Sequence, residues 1–593
     1  MLTNAGGSQS RTNEMFRKDG DDMEAFLDAV VQIRSGSVGA YIGFLRYAVP
    51  ILTAFLLLRC IRPLLTFRRE PEIWAWLNME DGTQIPITHW ENVIGRSKSS
   101  DVTIQFPTVS RNHAVLTRYD DGSWTISDAE SKDGVFVNGQ RVQICALEEG
   151  DEISIGGVNM TLQPITERQE KRQAELRTRA ASGWDSVGNL LLLTILQGLM
   201  VLGYLLAGKQ EDFLSILTGF GGIAVCQWIL MIFYAMIRRS SFEVETIAFF
   251  LCTLGMAAIA TVKPGETTKQ LIAMVLGVVM FLIIGWSLRD LERAKVIRYL
   301  AVMAGVGFLV VTLVFGTEYY GAKNWLIIGG MSLQPSELSK VCFVFAGAST
   351  MDRVMSKRNL FGFIAYSVLI CGLLALMNDF GTALIFFCAF LVIAYLRSGS
   401  VGTVGLAITA LIFAGVLALK IAPHALQRFA VWRHVWEDPL DAGFQQTRAL
   451  MCIASGGLQG LGPDQGLLQY IFAADSDIVF ATVSEEWGLL MAGMAVVCIA
   501  AFSLFAIRTA RVARSSFYSI GACTAASVLV IQTILNCLGT VDLLPFTGVT
   551  FPFLSNGGTS MIGAWGLLAF VKAADTRQNA SFAVRIQKGR VEA

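Results

Sequence analysis

Two groups of ionisable residues have the type and spacing to take part in chemistry. Glu437, Asp438 and Asp441 lie within five residues in the segment VWEDPLDAGFQQTRAL, which falls in the longest break between apolar runs. Carboxylates in such a segment are candidates for acid–base work. Glu337 and Lys340 lie three residues apart in QPSELSK and so share one helix face. Two interpretations of this pair remain open. Ionisable groups inside a membrane span usually face a cavity or a partner, which would give the pair a function. Alternatively, Glu337 only caps the helix and forms an ion pair with Lys340 along it.

The composition places much of the chain in a membrane. Of its 593 residues, 53% are hydrophobic and 16% are charged, whereas a soluble domain has about a quarter charged residues. The net charge of zero gives no reason to expect a nucleic-acid partner. The eleven cysteines are scattered without a CxxC or Cys/His cluster, so neither a disulfide framework nor a metal site is expected. Residues 1–38 are polar and unlike a cleavable signal peptide.

The apolar runs predict an N-terminal anchor helix and twelve later spans. The anchor covers residues 39–63, about the 20 residues that a bilayer crossing needs. The later spans are predicted at 187–207, 213–236, 244–263, 270–288, 297–315, 336–352, 359–377, 379–397, 401–421, 485–507, 517–540 and 554–572. Loops after the even-numbered spans, such as IRRSSFE and RDLERAKVIR, are rich in Lys and Arg and are therefore expected in the cytoplasm.

The same charge pattern sets the expected sidedness of the whole chain. Basic residues after the anchor place the segment that follows it in the cytoplasm, and the basic tail, residues 575–593, is expected there too. Residues 1–38 and the long loop 422–484 are then expected outside the cytoplasmic membrane. The carboxylate-rich segment therefore faces away from the cytoplasm.

Residues 72–165 differ in character from the rest of the chain. Short alternating stretches such as IWAWLN, SWTISD and DEISIGG are separated by DG, NG and GG, which predicts a compact all-β sandwich. A charged, helix-prone linker, residues 166–186, follows it. The expected fold class is a polytopic all-α membrane protein with a cytoplasmic all-β domain.

The β domain carries four motifs in order: IGRSKSSDVTI, VSRNHAVL, ISDAESKDGVFVNGQRV and LEEGDEISIGG. They resemble the forkhead-associated (FHA) domain, which implies recognition of phosphothreonine peptides by loops at one end of the sandwich. The resemblance makes Arg96 a charge-assisted phosphate donor, with Ser110 and Asn138 as neutral donors and His113 as a loop-packing residue. It implies a phosphothreonine protein or a Ser/Thr kinase as partner.

One departure from the FHA pattern leaves the ligand open. Asp133 and Val135 stand where the family usually has Asn and Thr, and a carboxylate beside a phosphate site is repulsive. Two interpretations therefore remain, a phosphothreonine-binding domain and a docking module without a phosphate preference.

The membrane part carries QPSE, a DxGT-like element, DP followed by GFQ, SGGLxGxG, EExG and PFxSxGG, between Gly321 and Ala574. In this order they resemble the SEDS family (shape, elongation, division and sporulation) of RodA/FtsW-like membrane glycosyltransferases. That family typically has ten spans with QPSE in the fourth, and five predicted spans precede QPSE here. Residues 187–574 are therefore expected to form the glycosyltransferase domain, with 187–263 as an additional pair of spans.

The resemblance implies an inverting glycosyltransferase that polymerises peptidoglycan strands from lipid II at the outer face of the cytoplasmic membrane. It makes Asp438 the catalytic base and Glu437 and Asp441 solvated loop charges. The side chains implied to bind substrate are Trp325, Gln334, Glu337, Lys340, Asp379, Arg428, Gln445 and Glu486. A monofunctional penicillin-binding protein is the implied transpeptidase partner. No cofactor is implied, and a divalent cation with the pyrophosphate is left open.

Several positions depart from the SEDS pattern without removing the base. Asn324, Asn378 and Asn556 replace the usual basic residue, Pro and Tyr, which indicates a divergent branch. Two other functions stay open: a lipid II flippase, which needs a cavity but has no stated need for Asp438, and a non-catalytic scaffold for cell-division or sporulation proteins. The motifs do not distinguish a role in elongation from one in division or sporulation.

Overall fold

A computed structural model describes most of the chain. The described residues are 37–66, 71–97, 100–119, 122–176, 183–207, 212–289, 291–319, 321–328, 331–349, 357–398, 401–421, 423–577 and 580. The expectations for the N-terminal polar segment and for most of the C-terminal tail fall outside these residues.

The membrane part is built from helices that begin and end close to the predicted boundaries. The helices are α1 (Ser37–Leu65), α2 (Glu167–Leu176), α3 (Gly183–Ala207), α4 (Phe213–Met236), α5 (Glu243–Val262), α6 (Thr267–Ser287), α7 (Leu291–Phe315), α8 (Pro335–Ser349), α9 (Lys357–Leu376), α10 (Phe380–Ser398), α11 (Val401–Ile421), α12 (Pro423–Val431), α13 (Phe444–Gly456), α14 (Val479–Ala510), α15 (Ser516–Thr540) and α16 (Gly558–Ala573). The anchor and each of the twelve predicted spans overlap a helix from this set over most of their described residues, and the span predicted to begin at 554 begins at Gly558. Among the described residues, nine helices are long and apolar enough to cross a membrane, so the chain is a multi-pass membrane protein.

Helix α5 lies inside the bundle, since its apolar stretch is completely buried. Phe249 of α5 packs against Trp565 of α16, with ring centroids 5.0 Å apart. Gly277 of α6 makes room for the same ring, because a Cβ there would lie 2.7 Å from a Trp565 ring carbon. Small residues at such crossings let membrane helices approach closely, which is a main source of their packing energy.

Residues 75–164 form the predicted sandwich. Its strands are β1 (Ala75–Met79), β2 (Gln84–Ile87), β3 (Glu91–Gly95), β4 (Val102–Thr103), β5 (Ala114–Arg118), β6 (Trp124–Asp128), β7 (Val135–Val137), β8 (Gln140–Val142), β9 (Ile144–Leu147), β10 (Glu152–Ile155) and β11 (Val158–Pro164). One sheet has the order β2-β1-β11-β10-β7-β8 and the other β4-β3-β5-β6-β9. Alternate residues such as Leu77, Ile94 and Ile153 are buried in the core between the sheets, which explains the period of two in the sequence. The predicted fold class is confirmed.

The sandwich and the long loop lie at opposite ends of the helical bundle. At the first turns of α14, the N–H of Leu461 in the loop donates to the carbonyl of Glu485 at 2.8 Å. Beyond the last turn of α14, the carbonyl of Arg514 accepts the N–H of Trp90 in the sandwich at 2.5 Å. Helix α14 is interrupted by a kink at Gly488, where φ is 87°, and the 22 residues from there to Ala510 correspond to about 33 Å at ~1.5 Å per residue. The whole bundle therefore separates the two regions.

A cluster of two tryptophans and two arginines joins the sandwich to the bundle. Its members, the tryptophan–arginine cluster, are Trp74, Trp90, Arg118 and Arg514. The guanidinium of Arg118 lies 4.7 Å from the centre of the Trp74 ring, and that of Arg514 lies 5.9 Å from both rings. Beside the cluster, the Ser515 hydroxyl donates to Glu91 Oε2 at 3.2 Å. Cation–π contacts and the hydrogen bonds fix the sandwich against the loop between α14 and α15.

Candidate functional site

The carboxylate-rich segment forms a turn between α12 and α13, at the end of the bundle away from the sandwich. Gly443 packs against Val435 so closely that a Cβ would lie 2.2 Å from the Val435 carbonyl oxygen. The N–H of Gly443 donates to the carbonyl of Asp438 at 2.9 Å. The N–H of Arg433 donates to Asp542 Oδ1 at 3.1 Å, which ties the turn to the loop after α15. These contacts fix the backbone that carries Asp438.

All three carboxylates of the turn are exposed, and Glu437 has an ionic partner. Glu437 pairs with His434, whose Nδ1 lies 2.9 Å from the Glu437 carboxylate, and both side chains are exposed. Asp438 and Asp441 are also exposed. The carbonyl of Asp438 accepts the N–H of Gly443 at 2.9 Å and that of Asp441 accepts the N–H of Phe444 at 3.2 Å, so both exposed side chains extend from backbone that is held in the turn.

Arg428 and Gln445 flank this turn on α12 and α13. Arg428 Nη1 donates to the carbonyl of Thr547 at 3.2 Å, and the side chain is exposed. Gln445 Nε2 donates to the carbonyl of Phe472 at 3.0 Å. Each contact uses one donor, and a guanidinium has five, so Arg428 keeps donors for a ligand. The structure thus brings two of the predicted substrate-binding residues to the same end of the bundle as Asp438.

The predicted pair Glu337 and Lys340 is formed and lies inside the bundle. Lys340 Nζ is 2.7 Å from Glu337 Oε1, and the two side chains are 2% and 6% exposed. Gln334 precedes them, and its N–H donates to the hydroxyl of Thr559 at the start of α16, at 3.1 Å. Glu337 therefore lies in the first turn of α8 and is buried with Lys340, and a role of the pair in substrate binding stays a prediction.

Asp379 caps α10 and connects it to the strand that carries Trp325. Its Oδ1 accepts the N–H of Thr382 at 3.1 Å, which satisfies a donor of the first turn. Its Oδ2 accepts from Asn324 Nδ2 at 3.4 Å. Trp325, next to Asn324, is partly buried on the strand Ala322–Ile328.

Asn378 explains one departure from the family pattern. It has φ of 59°, a left-handed conformation that proline cannot adopt and that asparagine tolerates better than most residues. Its Nδ2 donates to the carbonyl of Gly321 at 3.1 Å. Asn324 and Asn378 therefore provide the amides that hold the strand of Trp325 on α10.

Glu486 lies away from the turn, enclosed between α14, α3 and α5. Its Oε2 accepts from Thr261 Oγ1 at 2.7 Å and from the Tyr204 hydroxyl at 3.5 Å. Its Oε1 accepts the N–H of Asp464 at 3.1 Å, and the residue is 1% exposed. These partners come from the additional helices and the loop, so the structure does not bring Glu486 together with Asp438.

Sequence reasoning missed a polar cluster at the same end of the bundle. Lys263 Nζ donates to both oxygens of Asp475, at 3.1 and 3.2 Å. Asn556 Nδ2 donates to Asp475 Oδ2 at 2.6 Å and to Glu266 Oε2 at 2.7 Å. Asn556, which replaces the tyrosine usual in the family, is the feature of the sequence that could have indicated this cluster. Its amide has two N–H donors, whereas a phenol has one.

Asp477 follows in the same loop and titrates close to neutral pH. Burial is the main cause that raises the pKa of Asp477 to about 6. A hydrogen bond from Ser476 lowers this pKa, and the charge of Asp475 raises it. Arg428 and Lys263 lower it further, so both cations lie within electrostatic reach of Asp477.

The loops expected to bind phosphothreonine lie at the far end of the sandwich. The N–H of Arg96 donates to the carbonyl of Ser110 at 2.9 Å, and Arg96 Nη1 donates to the Pro107 carbonyl at 3.4 Å. His113 is fully buried, accepts the N–H of Ser110 at Nδ1 and contacts the carbonyl of Gly134 through Nε2 at 2.9 Å. His113 thus joins two loops around an exposed Arg96.

Asn138 does not lie with Arg96 and Ser110, which corrects the expectation that the three share a site. Strand β7 separates Asn138 from Gly134 by four residues, and an extended chain covers about 13 Å over that length at ~3.3 Å per residue. Asn138 therefore reaches the opposite end of the strand from the His113 contact.

Asn138 instead stabilises a turn. Its Nδ2 donates to Asp151 Oδ1 at 2.8 Å, and its Oδ1 accepts the N–H of Glu152 at 3.0 Å. The N–H of Glu148 and the amide of Asn138 hold the pKa of Asp151 below its usual value. Asn138 and Gly139 thus form the hairpin turn between β7 and β8, and Asn-Gly is a common sequence for such turns.

Together these features define the class of protein: a multi-pass helical membrane protein with a carboxylate-bearing turn at one end and a two-sheet recognition domain at the other. The family profile FTSW_RODA_SPOVE, described as "Cell cycle protein", matches residues 258–580, and the FHA domain profile matches 92–156. The first match covers more than half of the chain. The chain therefore belongs to the FtsW/RodA/SpoVE family and carries an FHA domain, which confirms both resemblances.

Named relatives agree with this assignment. "Peptidoglycan glycosyltransferase RodA" of Mycobacterium tuberculosis (strain H37Rv) is 28% identical over 325 residues, covering 52% of this chain and 69% of the relative. "Probable peptidoglycan glycosyltransferase FtsW" of Alkalilimnicola ehrlichii is 32% identical over 294 residues, covering 46% and 72%. A chain from the solved structure of a peptidoglycan synthase complex covers 56% of this chain and 96% of its own length, with 23% identity and a TM-score of 0.48.

Proposed function

We propose that this chain is a peptidoglycan glycosyltransferase that polymerises glycan strands from lipid II. Membership of the FtsW/RodA/SpoVE family and relatives named as peptidoglycan glycosyltransferases support the activity. The observation that carries the proposal is the exposed Asp438 on a turn fixed by Gly443, at the same end of the bundle as Arg428.

Asp438 is the proposed general base. A hydroxyl of the acceptor sugar attacks the anomeric carbon of the donor, the new glycosidic C–O bond forms, and the bond from that carbon to the pyrophosphate oxygen breaks. Asp438 takes the hydroxyl proton, and undecaprenyl pyrophosphate leaves with the electron pair. Attack from the side opposite the leaving group inverts the anomeric centre. A positioned base contributes about 10²- to 10⁴-fold to such a step.

Cations are needed where negative charge develops on the leaving pyrophosphate. Arg428 is the proposed donor because it is exposed and commits one guanidinium N–H to Thr547. Gln445 is proposed as a neutral donor at the same turn. Trp325, Gln334, Glu337, Lys340 and Asp379 form the second proposed group, in which Asn324 joins the strand of Trp325 to Asp379. Glu486 stays a sequence prediction, since it is enclosed.

The placement of the two ends supports the proposed orientation in the membrane. The sandwich lies at one end of α14 and the turn of Asp438 at the other, so they face different sides of any membrane that the bundle crosses. The basic loops favour the cytoplasmic side for the sandwich under the positive-inside rule. The turn of Asp438 then faces the outer side of the cytoplasmic membrane, where lipid II is polymerised.

Two protein partners follow from the proposal. A polymerase of glycan strands needs a crosslinking enzyme, and a monofunctional penicillin-binding protein is the proposed one. The FHA domain is proposed to bind a phosphothreonine protein through Arg96, which keeps regulation on the cytoplasmic side. A phosphate adds a charge of about −1.5 to −2, which suits an exposed guanidinium.

The test is polymerisation of labelled lipid II by the purified full chain in liposomes, with and without the transpeptidase. Wild type should form glycan strands and Asp438→Asn essentially none, at unchanged thermal unfolding. Asp441→Asn, three residues away and also exposed, is the matched control and should retain activity. Normal polymerisation by Asp438→Asn would refute the base assignment, and lipid II transfer across the bilayer without polymer would favour a flippase.

A further inference from the structure

Lys263 follows the last residue of α5, at the end of the bundle that carries Asp438. Its ammonium donates to both carboxylate oxygens of Asp475, at 3.1 and 3.2 Å. The Asp475 side chain is 1% exposed, whereas that of Lys263 is 48% exposed. An ammonium has three N–H donors, and Asp475 takes two of them. Lys263 therefore keeps one charged donor and stays accessible to a ligand.

Asn556 holds the acceptor of this pair in place. The N–H of Asn556 donates to the Asp475 carbonyl at 2.7 Å, and its Nδ2 donates to Asp475 Oδ2 at 2.6 Å. Asp475 is thus fixed through its backbone and through its side chain. A cation that is already held in position loses less conformational entropy when a ligand binds. The position of the Lys263 ammonium is therefore set by the protein before a ligand arrives.

The loop that carries Asp475 connects Lys263 to the proposed substrate site. Gln445 Nε2, on the first turn of α13, donates to the carbonyl of Phe472 at 3.0 Å. Asp475 is three residues after Phe472, and three residues of chain cover at most about 11 Å. Val262, next to Lys263, packs with residues of α13 in one apolar cluster. Lys263 thus lies beside the helix that carries Gln445.

Arg428 approaches the same loop at Asp477. Arg428 Nη1 donates to the Thr547 carbonyl at 3.2 Å. A Cβ built on the next residue, Gly548, would lie 3.2 Å from Asp477 Oδ2. The charges of Arg428 and Lys263 both lower the pKa of Asp477, so both cations lie within electrostatic reach of one carboxylate. Two cations therefore border this loop.

We propose that Lys263 binds the pyrophosphate of the undecaprenyl-linked donor, as a second cation beside Arg428. A pyrophosphate has two phosphate groups and can contact two cations at once. Lys263 stays protonated and donates its remaining N–H to a non-bridging phosphate oxygen, where it acts as a point charge on the leaving group. The inference rests on the proposed glycosyltransferase function and adds to that site a residue outside its sequence motifs.

The first test measures binding of radiolabelled undecaprenyl pyrophosphate to the purified full chain in nanodiscs of phosphatidylcholine. Lys263→Met should weaken this binding about tenfold, because a charge-assisted hydrogen bond is lost. Lys269→Met is the matched control, since Lys269 lies on the next helix, is 63% exposed and is 3.7 Å from Glu266. It should leave the affinity nearly unchanged. Equal effects of the two variants would overturn the inference.

Phosphatidylglycerol in the nanodiscs distinguishes two sources of phosphate, because an anionic lipid headgroup offers the same chemistry as the pyrophosphate. Wild type should keep most of its affinity for undecaprenyl pyrophosphate when phosphatidylglycerol replaces part of the phosphatidylcholine. A large loss of affinity in wild type that is absent from Lys263→Met would show that Lys263 takes lipid headgroups. The inference would then be wrong.

A double variant separates ligand binding from neutralisation of Asp475. Lys263→Met leaves a buried carboxylate unpaired, which destabilises the loop by itself. Lys263→Met combined with Asp475→Asn removes both charges. If Lys263 only neutralises Asp475, the double variant recovers wild-type binding, and the inference is wrong. If binding stays weak while thermal unfolding recovers, Lys263 contacts the ligand.

Polymerisation of lipid II by the same variants separates this inference from the proposed function. In Lys263→Met, kcat should fall about tenfold, because negative charge develops on the pyrophosphate as its bond to the sugar breaks. Unchanged binding and kcat in Lys263→Met, with an active wild type, would overturn the inference alone. A wild type that binds undecaprenyl pyrophosphate through Lys263 but forms no polymer would overturn the proposed function and leave the binding site in place.

Discussion

Lys340 and Glu337 show at the residue scale why an ion pair is kept inside a membrane protein. Both are almost completely buried, and their charged atoms are 2.7 Å apart. Removing one partner of a buried pair is strongly destabilising, because the other charge is left without compensation. The chain has a matched pair at its surface: Lys269 and Glu266 have the same spacing, 3.7 Å between charged atoms, and side chains 63% and 37% exposed.

Lys340→Met is therefore expected to destabilise the protein by about 3 kcal/mol, whereas Lys269→Met should cost less than about 1 kcal/mol. Glu337→Gln added to Lys340→Met should recover part of the loss, since no charge is then buried alone. Thermal unfolding of the full chain in detergent measures all three variants. Equal effects of Lys340→Met and Lys269→Met would show that burial of the pair is unimportant.

Asp477 gives a prediction for the pH dependence of stability. Its folded pKa is about 6, and an unfolded aspartate has about 3.9. Between these values the folded chain holds a proton that the unfolded chain has lost, so the stability that Asp477 contributes falls as pH rises from about 4 to about 6. Asp475, Lys263 and Arg428 are the charged groups that act on it.

The amide in Asp477→Asn does not titrate, so the stability of this variant should not fall as pH rises from about 4 to about 6. It is expected to be more stable than wild type by up to about 3 kcal/mol at pH 7.5 and by about 1 kcal/mol at pH 4.5. Unfolding midpoints at the two pH values give the measurement, and Asp441→Asn, which alters an exposed carboxylate, is the control. A constant difference between Asp477→Asn and wild type at both values would contradict the prediction.

At the scale of elements, the anchor helix α1 is a packed part of the membrane domain. Ile42 fills the space beside Gly462, where a Cβ would lie 2.5 Å from its Cγ2. Arg46 Nη2 donates to the carbonyl of Leu461 at 2.6 Å. Arg46 and Glu486 also line a cavity of about 10 Å³, close to the volume that one water needs. The helix thus contributes one wall of the small cavity beside Glu486.

Arg46→Met is expected to destabilise the full chain by about 1 to 2 kcal/mol, since it removes the hydrogen bond to the Leu461 carbonyl. Because Arg46 and Glu486 line one cavity, the effects of Arg46→Met and Glu486→Gln on stability should not simply add in the double variant. Thermal unfolding of wild type, the two single variants and the double variant gives a double-mutant cycle for the two residues. Arg59→Met, on the same helix but 34% exposed and 3.7 Å from Asp185, is the control. Strict additivity of the two changes would refute the coupling.

At the scale of the whole molecule, the tryptophan–arginine cluster attaches the FHA domain to the helical bundle. Glu91 begins β3 beside the bundle, and Gly95 ends it beside Arg96. The four steps from Glu91 to Gly95, at ~3.3 Å each, separate the two ends by about 13 Å. The surface that holds the domain is therefore distinct from the loops that are proposed to bind phosphothreonine.

Arg514→Ala should loosen the domain without weakening phosphopeptide binding. Loss of the guanidinium removes its contacts with Trp74 and Trp90, worth about 1 to 2 kcal/mol, and the N–H of Trp90 should exchange with solvent about tenfold faster. Hydrogen–deuterium exchange of peptides that contain Trp90 gives the measurement. Arg511→Ala, an exposed neighbour in the same loop, should leave the exchange unchanged. Slow exchange in both variants would mean that Arg514 does not hold the domain.

The sequence predicts well the features that depend on local pattern. Long apolar runs form helices, because only hydrogen-bonded backbone is tolerated in lipid, and ordered turn signals predicted the sandwich. Contacts between distant residues are not predictable in this way. Lys263 and Asp475 are 212 positions apart and carry no motif. Asn138 was misplaced because Asn-Gly is typical both of ligand loops and of hairpin turns.

The fixed position of the FHA domain has a consequence for the choice of partner. With the proposed binding at Arg96, a bound phosphoprotein would move laterally with this chain. Any further contact between the two proteins would then be intramolecular, with an effective concentration set by the partner's linker. The tryptophan–arginine cluster fixes the height of Arg96 relative to the bundle. A membrane-anchored partner is therefore captured only if its linker spans this height. The length of the partner's linker would then determine which proteins can bind, independent of the sequence around the phosphothreonine.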